Sequence, residues 1–201
     1  MAVLVKSGED AVAKDTRARM IAAAVHSLQH DGVEGMSFTD VLRASGAARG
    51  AIYHHFPGGK SQLVAEAATD NGNEVRALLA QLPAENAAAV VSGFLSLIRP
   101  VVQESAEGGG CAVAAAAMAR SAPDHDGPHV AAAAAIGSWV NEIAGRFAVA
   151  GLAGAEAHEL ASSLVTMLEG AHVLARATGE IDYFDQTARA FTALIEARYG
   201  G

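Results

Sequence analysis

The stretch Ser37–Lys60, SFTDVLRASGAARGAIYHHFPGGK, constrains the chain more than any other, because it spells two short helices with a tight turn between them. Phe38, Val41 and Leu42 fall on one helical face at spacings of three and four. Ala48, Ile52 and Phe56 repeat every four residues and predict a second helix beginning near Ala48. Ser45-Gly46-Ala47 supplies the turn, and Gly46 provides the permissive backbone that a sharp reversal needs. This is a helix-turn-helix pattern. Its second helix is left with Arg49, Gly50, Tyr53 and His54 facing outward, a cationic, small, aromatic and polar set that suits a DNA major groove. The period alone also fits a helical hairpin whose polar face is merely solvated.

Bulk properties narrow the class. At 201 residues the chain is long enough for one large helical domain or two small ones, and its abundant alanine favours helix over sheet. No uninterrupted apolar run reaches the ~18 residues expected of a membrane span, so no membrane partner is expected. The opening MAVLVKSGEDAVAKD lacks the charged-then-apolar order of a secretory signal, which predicts a cytoplasmic protein. One cysteine, Cys111, makes no internal disulfide and by itself no metal cluster. The net charge of −8 argues against indiscriminate coating of nucleic acid. Yet residues 1–63 carry seven Lys/Arg against six Asp/Glu, so DNA contact would have to come from a local patch on the first third.

The residues Gly46-Ala47-Ala48-Arg49-Gly50-Ala51-Ile52-Tyr53-His54-His55-Phe56, followed by Lys60 and Leu63, resemble the signature of the TetR family of bacterial repressors. The similarity extends upstream through Ile21–Leu28 and His30-Asp31-Gly32-Val33 and covers roughly residues 15–66. Pro57-Gly58-Gly59-Lys60 is one residue longer than the commonest form of this turn. That spacing, like Gly110-Cys111 later, resembles the LmrA/YxaF-type branch. The resemblance implies a dimeric, all-helical, ligand-responsive DNA-binding protein. It also implies that Thr39, Tyr53 and His55 match DNA-contacting positions. The family usually has a hydroxyl residue where this chain has Ala48; losing such a cap costs ~1 kcal/mol and a hydroxyl contact with it.

Taken in order, residues 1–13 show no period and predict a flexible arm. A first helix capped by Asp15 or Thr16 follows, its buried stripe formed by Met20, Ile21, Ala24, Val25 and Leu28. Arg17 and Arg19 would lie in its first turn, where the dipole disfavours cations, and a phosphate near Arg17 would relieve that penalty. Ser37 caps the second helix, with Asp40 in its first turn. The set assigned to DNA is Arg17, Ser37, Thr39, Arg49, Gly50, Ala51, Tyr53, His54, His55 and Lys60. Arg49 can bridge guanine O6 and N7, Ala51 can meet a thymine methyl, and Lys60 with the free N–H groups of its helix start can clamp a phosphate.

The fourth helix, from about Gly59 to Leu82, links the halves, and its polar middle Asp70-Asn71-Gly72-Asn73 marks a bend or a solvated section. A fifth helix is apolar nearly all round and should be buried, with Pro100 predicting a kink or an end near Arg99. Cys111 reads as a buried structural thiol at the start of a short alanine-rich helix. Asp124, His125, Asp126 and His129 read as an ordinary loop rather than a metal set, and no cofactor is expected. Helices over about 129–150 and 155–178, and a last one from Asp182, complete the chain.

The reading is therefore all-α, with about nine helices. An arm (1–13) precedes a three-helix, helix-turn-helix DNA-binding domain (14–58), followed by a larger ligand-binding and dimerisation domain (59–201). Phe94, Met118, Trp139, Ile143, Phe147, Met167 and His172 are the candidates for lining a pocket for an apolar or amphipathic effector. Leu160, Leu164, Leu168, Ala171, Phe184, Ala188, Phe191 and Ile195 are the candidates for a twofold helical interface, although the same stripes could close the core of one chain. The expected function is a repressor that binds a palindromic double-stranded DNA operator as a homodimer and is released by a small molecule. A constitutive repressor with a vestigial pocket is the alternative, and a small helical enzyme a more remote one.

Overall fold

A computed structural model of the chain describes residues 2–120 and 126–199, with side chains from Asp15 onward. Among these residues there are nine helices and no strand. They are α1 (Ala2–Gly35), α2 (Phe38–Ser45), α3 (Ala51–His55), α4 (Gly59–Leu79), α5 (Ala87–Ala106), α6 (Ala112–Ala117), α7 (Gly127–Val149), α8 (Gly154–Thr178) and α9 (Asp182–Tyr199). The helices of the first third pack as α1 on α2 and α1 on α4. Behind them α4, α5, α7 and α8 form the main bundle, with α6 wedged among α1, α4 and α7, and α9 laid over α5 and α8. One apolar core runs continuously from Met20 to Ile195.

Local chemistry accounts for the ends. Ser37 accepts a hydrogen bond from the Asp40 backbone N–H at 3.2 Å and so caps α2, as its sequence position predicts. Gly46, at φ 66°, closes α2 in the left-handed conformation, its N–H returning to the Arg43 carbonyl. α1 breaks at Gly32, which has positive φ (67°) and extended ψ inside the element.

Several expectations change. The segment 2–13, expected as an arm, is part of α1: it holds no proline and several strong helix formers, so the helix propagates backward at little cost. Arg17 and Arg19 consequently sit mid-helix rather than in a first turn. The reading helix starts at Ala51 and not at Ala48; without a side-chain oxygen at 48, residues Ala48–Ala51 close a single turn (Ala51 N–H to Ala48 carbonyl, 2.9 Å) ahead of it. Ala48 is exposed, and Ala47 packs on the core in its place. Helix α5 passes through Pro100 to Ala106 without ending, because the proline ring lies on the exposed side. By length and composition α5 could cross a membrane, but here it buries Val90, Val91, Phe94, Ile98 and Val102 against its neighbours.

The polar middle of α4 has a definite role. Gly72 is buried, and a Cβ there would stand 2.6 Å from the Ala135 Cβ of α7, so only glycine permits the approach. The indole N–H of Trp139 donates to the Gly72 carbonyl at 2.8 Å, fixing α7 against α4. The lone tryptophan thereby combines full burial with a satisfied polar atom.

Candidate nucleic-acid interface and adjoining cavity

The outward face of the helix-turn-helix is built by exclusion. Ile52 and Phe56 bury completely, which turns Arg49, Gly50, Tyr53 and His54 to solvent. Tyr53, 69% exposed, is braced edge-on by Phe38 of α2 at 6.1 Å between ring centroids. Thr39 lies exposed on α2. Ala51, expected to meet a base, is half-buried and packed on the core, so only part of its methyl faces outward. Ser37 donates to an Asp40 carboxylate oxygen at 2.5 Å in addition to capping, which occupies its hydroxyl inside the protein.

The cations of the first third divide in two. Arg17 pairs with Glu66 of α4 and lies over the Phe56 ring at 5.3 Å, so it joins α1 to α3 and α4 rather than standing free. Arg19 pairs with Asp15 and donates to the Ser45 carbonyl at 3.0 Å, closing the end of α2. Arg43 is held by Asp40 at 2.7 Å. Arg49 and Lys60 make no ion pair among the described residues. His55, half-buried, is kept below its ordinary pKa by desolvation first, then by His54 and Arg17, and is neutral at pH 7. At the start of α4 the Gly58 N–H is taken by Gln62 Oε1 (2.7 Å) and the Gly59 N–H by the Phe56 carbonyl (2.9 Å). The expected phosphate clamp thus contracts to Lys60 and the N–H groups after it.

A cavity lies where the end of α1 meets α6 and α8. A cleft of about 400 Å³ is lined by Leu28, Gln29, Val33, Cys111, Ala115, Met118, Glu169, His172 and Arg176. An inner chamber of about 200 Å³ shares Gln29, Gly110, Cys111 and His172 with it and reaches Val75 and Leu79 of α4, Leu97 and Ile98 of α5, and Trp139. Of the residues expected to line a pocket, Met118, Trp139 and His172 do so. Phe94, Ile143 and Phe147 are fully buried core and line neither cavity, because their stripe closes the bundle. Met167 faces a separate groove between α8 and α9. Cys111 and Glu169 were not expected to line a pocket. The i, i+3, i+7 spacing of Glu169, His172 and Arg176 on α8 was the available sign.

The residues expected at a twofold interface are mostly inward. Leu164, Leu168, Ala171, Phe184 and Ile195 are buried within the single chain, and Leu160, Ala188 and Phe191 are half-buried. The large apolar side chains that α8 and α9 leave in solvent among the described residues are Val173, Leu174, Tyr183 and Leu194. Asp124 and His125 lie outside the described residues; His129 approaches Asp126 at 3.4 Å across the first turn of α7.

Comparison with known proteins agrees with this arrangement. Residues 20–67 match the model of bacterial regulatory proteins of the tetR family, and residues 87–190 match the C-terminal domain of LmrA/YxaF-like transcriptional regulators. An uncharacterized HTH-type transcriptional regulator of Mycobacterium tuberculosis is 33% identical over 185 residues, covering 90% of this chain and 94% of that one. A TetR regulator from Legionella pneumophila superposes with a TM-score of 0.74 at 23% identity, over 88% of this chain and 94% of the other. The TetR-family regulator CifR, solved with 26 bp of double-strand operator DNA, does so with a TM-score of 0.65 at 24% identity, over 87% and 94%. With the exposed face of α3 and the matched relatives both in view, the chain belongs to the TetR family, on its LmrA/YxaF-like branch, and is a DNA-binding transcriptional regulator.

Proposed function

We propose that the protein is a cytoplasmic homodimeric repressor that holds a palindromic operator and releases it when a small molecule enters the cavity beside Cys111 and His172. The observation that carries this reading is the division of the cations. Arg17, Arg19 and Arg43 are each ion-paired within the chain, while Arg49 and Lys60 flank exposed Tyr53 and His54 with no ion pair among the described residues. Base readout falls to Arg49, with Thr39 and His54 beside it, and backbone contact falls to Tyr53, His55 and Lys60. Two copies related by a twofold axis would set their α3 helices one DNA turn apart, about 34 Å. The operator bound by CifR supports the same role for this fold.

The cavity has a mechanical route to that face. Arg176, one turn beyond His172, donates to the carbonyls of Gln29 (3.1 Å) and His30 (2.6 Å) on α1 and of Gly109 (3.1 Å). Val75 and Leu79 of the inner chamber lie on α4, whose other end carries Lys60. An effector bound there would bias both levers. The lining is apolar around a few polar anchors, which fits an amphipathic molecule. Hundredfold release needs only ~2.7 kcal/mol of preference for the DNA-free state.

The test is selection of operator sequences from a random duplex pool, followed by binding across a salt series with and without small molecules that raise the protein's melting temperature. The reading requires an enriched palindrome, steep salt dependence, and loss of binding with at least one stabilising compound. Specific binding that no stabilising compound weakens would leave a constitutive repressor.

A further inference from the structure

Three side chains that DNA binding leaves unused meet where the two cavities join. Ligand atoms of Cys111, Glu169 and His172, one from each, lie within 4.8 Å of one another. Cys111 is the N-cap of α6, its Sγ accepting from the Ala114 N–H at 3.3 Å, while Glu169 and His172 share a face of α8. Glu169 Oε1 is sealed from solvent and lies within hydrogen-bond geometry of no group among the described residues, the Cys111 thiol being the neighbour that interacts with its carboxyl. An orphaned, buried carboxylate oxygen beside a thiol and an imidazole calls for an explanation.

The imidazole is already oriented as a ligand would be. Its Nδ1 lies 2.6 Å from Ser105 Oγ, whose own hydroxyl donates to the Val101 carbonyl at 3.0 Å. A hydroxyl has one proton; with it given to Val101, Nδ1–H donates to Ser105 and Nε2 keeps its lone pair, the tautomer a metal ligand needs. Ser105 is fully buried, which fixes the ring. We propose that Cys111 Sγ, a Glu169 carboxylate oxygen and His172 Nε2 bind a divalent cation of the zinc class, with a further coordination position open to the cavity. Mixed sulfur, nitrogen and oxygen donors select zinc, cobalt or nickel over magnesium or calcium. Three protein ligands with one open position is the arrangement of an exchangeable or ligand-accepting site rather than a closed structural one.

Charge balance supports the assignment. Burial pushes the Cys111 thiol and the Glu169 carboxyl up and His172 down to about 4. A thiolate, a carboxylate and a neutral imidazole together carry −2, which a divalent cation cancels, and binding releases the thiol proton. Tetrahedral ligand atoms stand about 3.5 Å apart, and rotation of the Glu169 side chain gathers the set onto the ion. The site adjoins the Arg176 clasp on α1, yet metal uptake is measurable on the full chain without DNA, so this inference stands or falls apart from operator binding.

The experiment is titration of chelator-stripped full-length protein with Co²⁺, read by absorbance, then displacement with Zn²⁺. One Co²⁺ per chain is expected, with a thiolate-to-cobalt charge-transfer band. The chain has a single cysteine, so that band has one source. Cys111→Ser should abolish the band, Glu169→Gln or His172→Gln should weaken uptake at least about a hundredfold, and Ser105→Ala about 10- to 100-fold. Affinity should fall steeply on acidification. Absence of saturable uptake by the wild-type chain overturns the proposal, and this needs no variant to fold. Uptake without the band, or uptake that Glu169→Gln and His172→Gln leave unchanged, overturns it equally.

Discussion

The face of α3 and the cavity beside α8 handle polar groups in opposite ways. At α3 the polar side chains are neighbours in sequence, exposed or half-buried, and make no ion pair among the described residues. At the cavity they come from residues 29, 111, 169, 172 and 176, and most are buried or clasped to backbone carbonyls. A surface that binds a polyanion keeps its donors solvated until the polymer arrives, whereas a site for a small molecule or ion holds its few polar groups in an apolar wall. Substitutions at α3 should therefore change binding and leave stability within about 0.5 kcal/mol. Substitutions around the cavity should change stability first.

The largest effect expected is at Trp139. It walls the inner chamber, yet it is fully buried and ties α7 to Gly72. Trp139→Ala should lower unfolding free energy by about 3–5 kcal/mol, measured by urea denaturation, while Trp139→Phe should lose far less. An alanine variant as stable as the parent would make this residue an effector contact only, and the contrast between the two regions would weaken.

Next comes the exposed stripe of α8 and α9. Leu174→Glu with Leu194→Glu should leave the fold intact, since both side chains are in solvent in the single chain. Sedimentation should show monomers, and operator affinity should fall about 10²–10⁴-fold as the second α3 is lost. Persisting dimers would place the twofold contact elsewhere. A change at Leu164, by contrast, should unfold rather than dissociate, because that residue is fully buried within one chain.

The same contrast decides what could be read in advance. Ile52 and Phe56 four apart, with Gly46 before them, fix which side of α3 faces out, because every residue involved lies within a dozen positions of the others. Ser37 as a cap and most helix limits from α7 onward are equally local. Ala48 was misplaced because a helix start depends on a capping oxygen that the apolar period does not register. Arg17 was assigned to phosphate because nothing near it in sequence announces Glu66, forty-nine residues on. The apolar stripe of α8 located a packed face but could not tell a chain's own core from a partner's; Leu164 and Leu168 fit either, and both are buried within the single chain. Gly72 looked like a bend; its reason is Ala135, on another helix. Glu169 and His172 share the i, i+3 spacing of one face of α8, but nothing in the sequence joins Cys111 to them, since only the packing of α6 at the cleft brings it there.

Within the DNA face a finer division can be tested. Arg49→Ala should cost about 1–3 kcal/mol of operator binding and flatten discrimination at one base position, without a change in melting temperature. If discrimination survived, Thr39 and His54 would carry the readout.

The smallest and most discriminating comparison is between Lys60 and Arg17, two cations of the same segment. Lys60 has no ion-pair partner among the described residues, so Lys60→Ala should weaken all sequences alike and lower the slope of log affinity against log salt by about one per contact. Arg17 is bound to Glu66 and stacked on Phe56, with its side chain 40% exposed. Solvent screening keeps such a pair near or below about 1 kcal/mol, so Arg17→Ala should cost that much stability and leave the salt slope unchanged. A reduced slope in Arg17→Ala would mean that DNA draws the guanidinium away from Glu66. The pair would then be a latch between α1 and α4, open on the operator and closed in its absence, and the boundary between solvated and internally spent cations would shift when DNA binds.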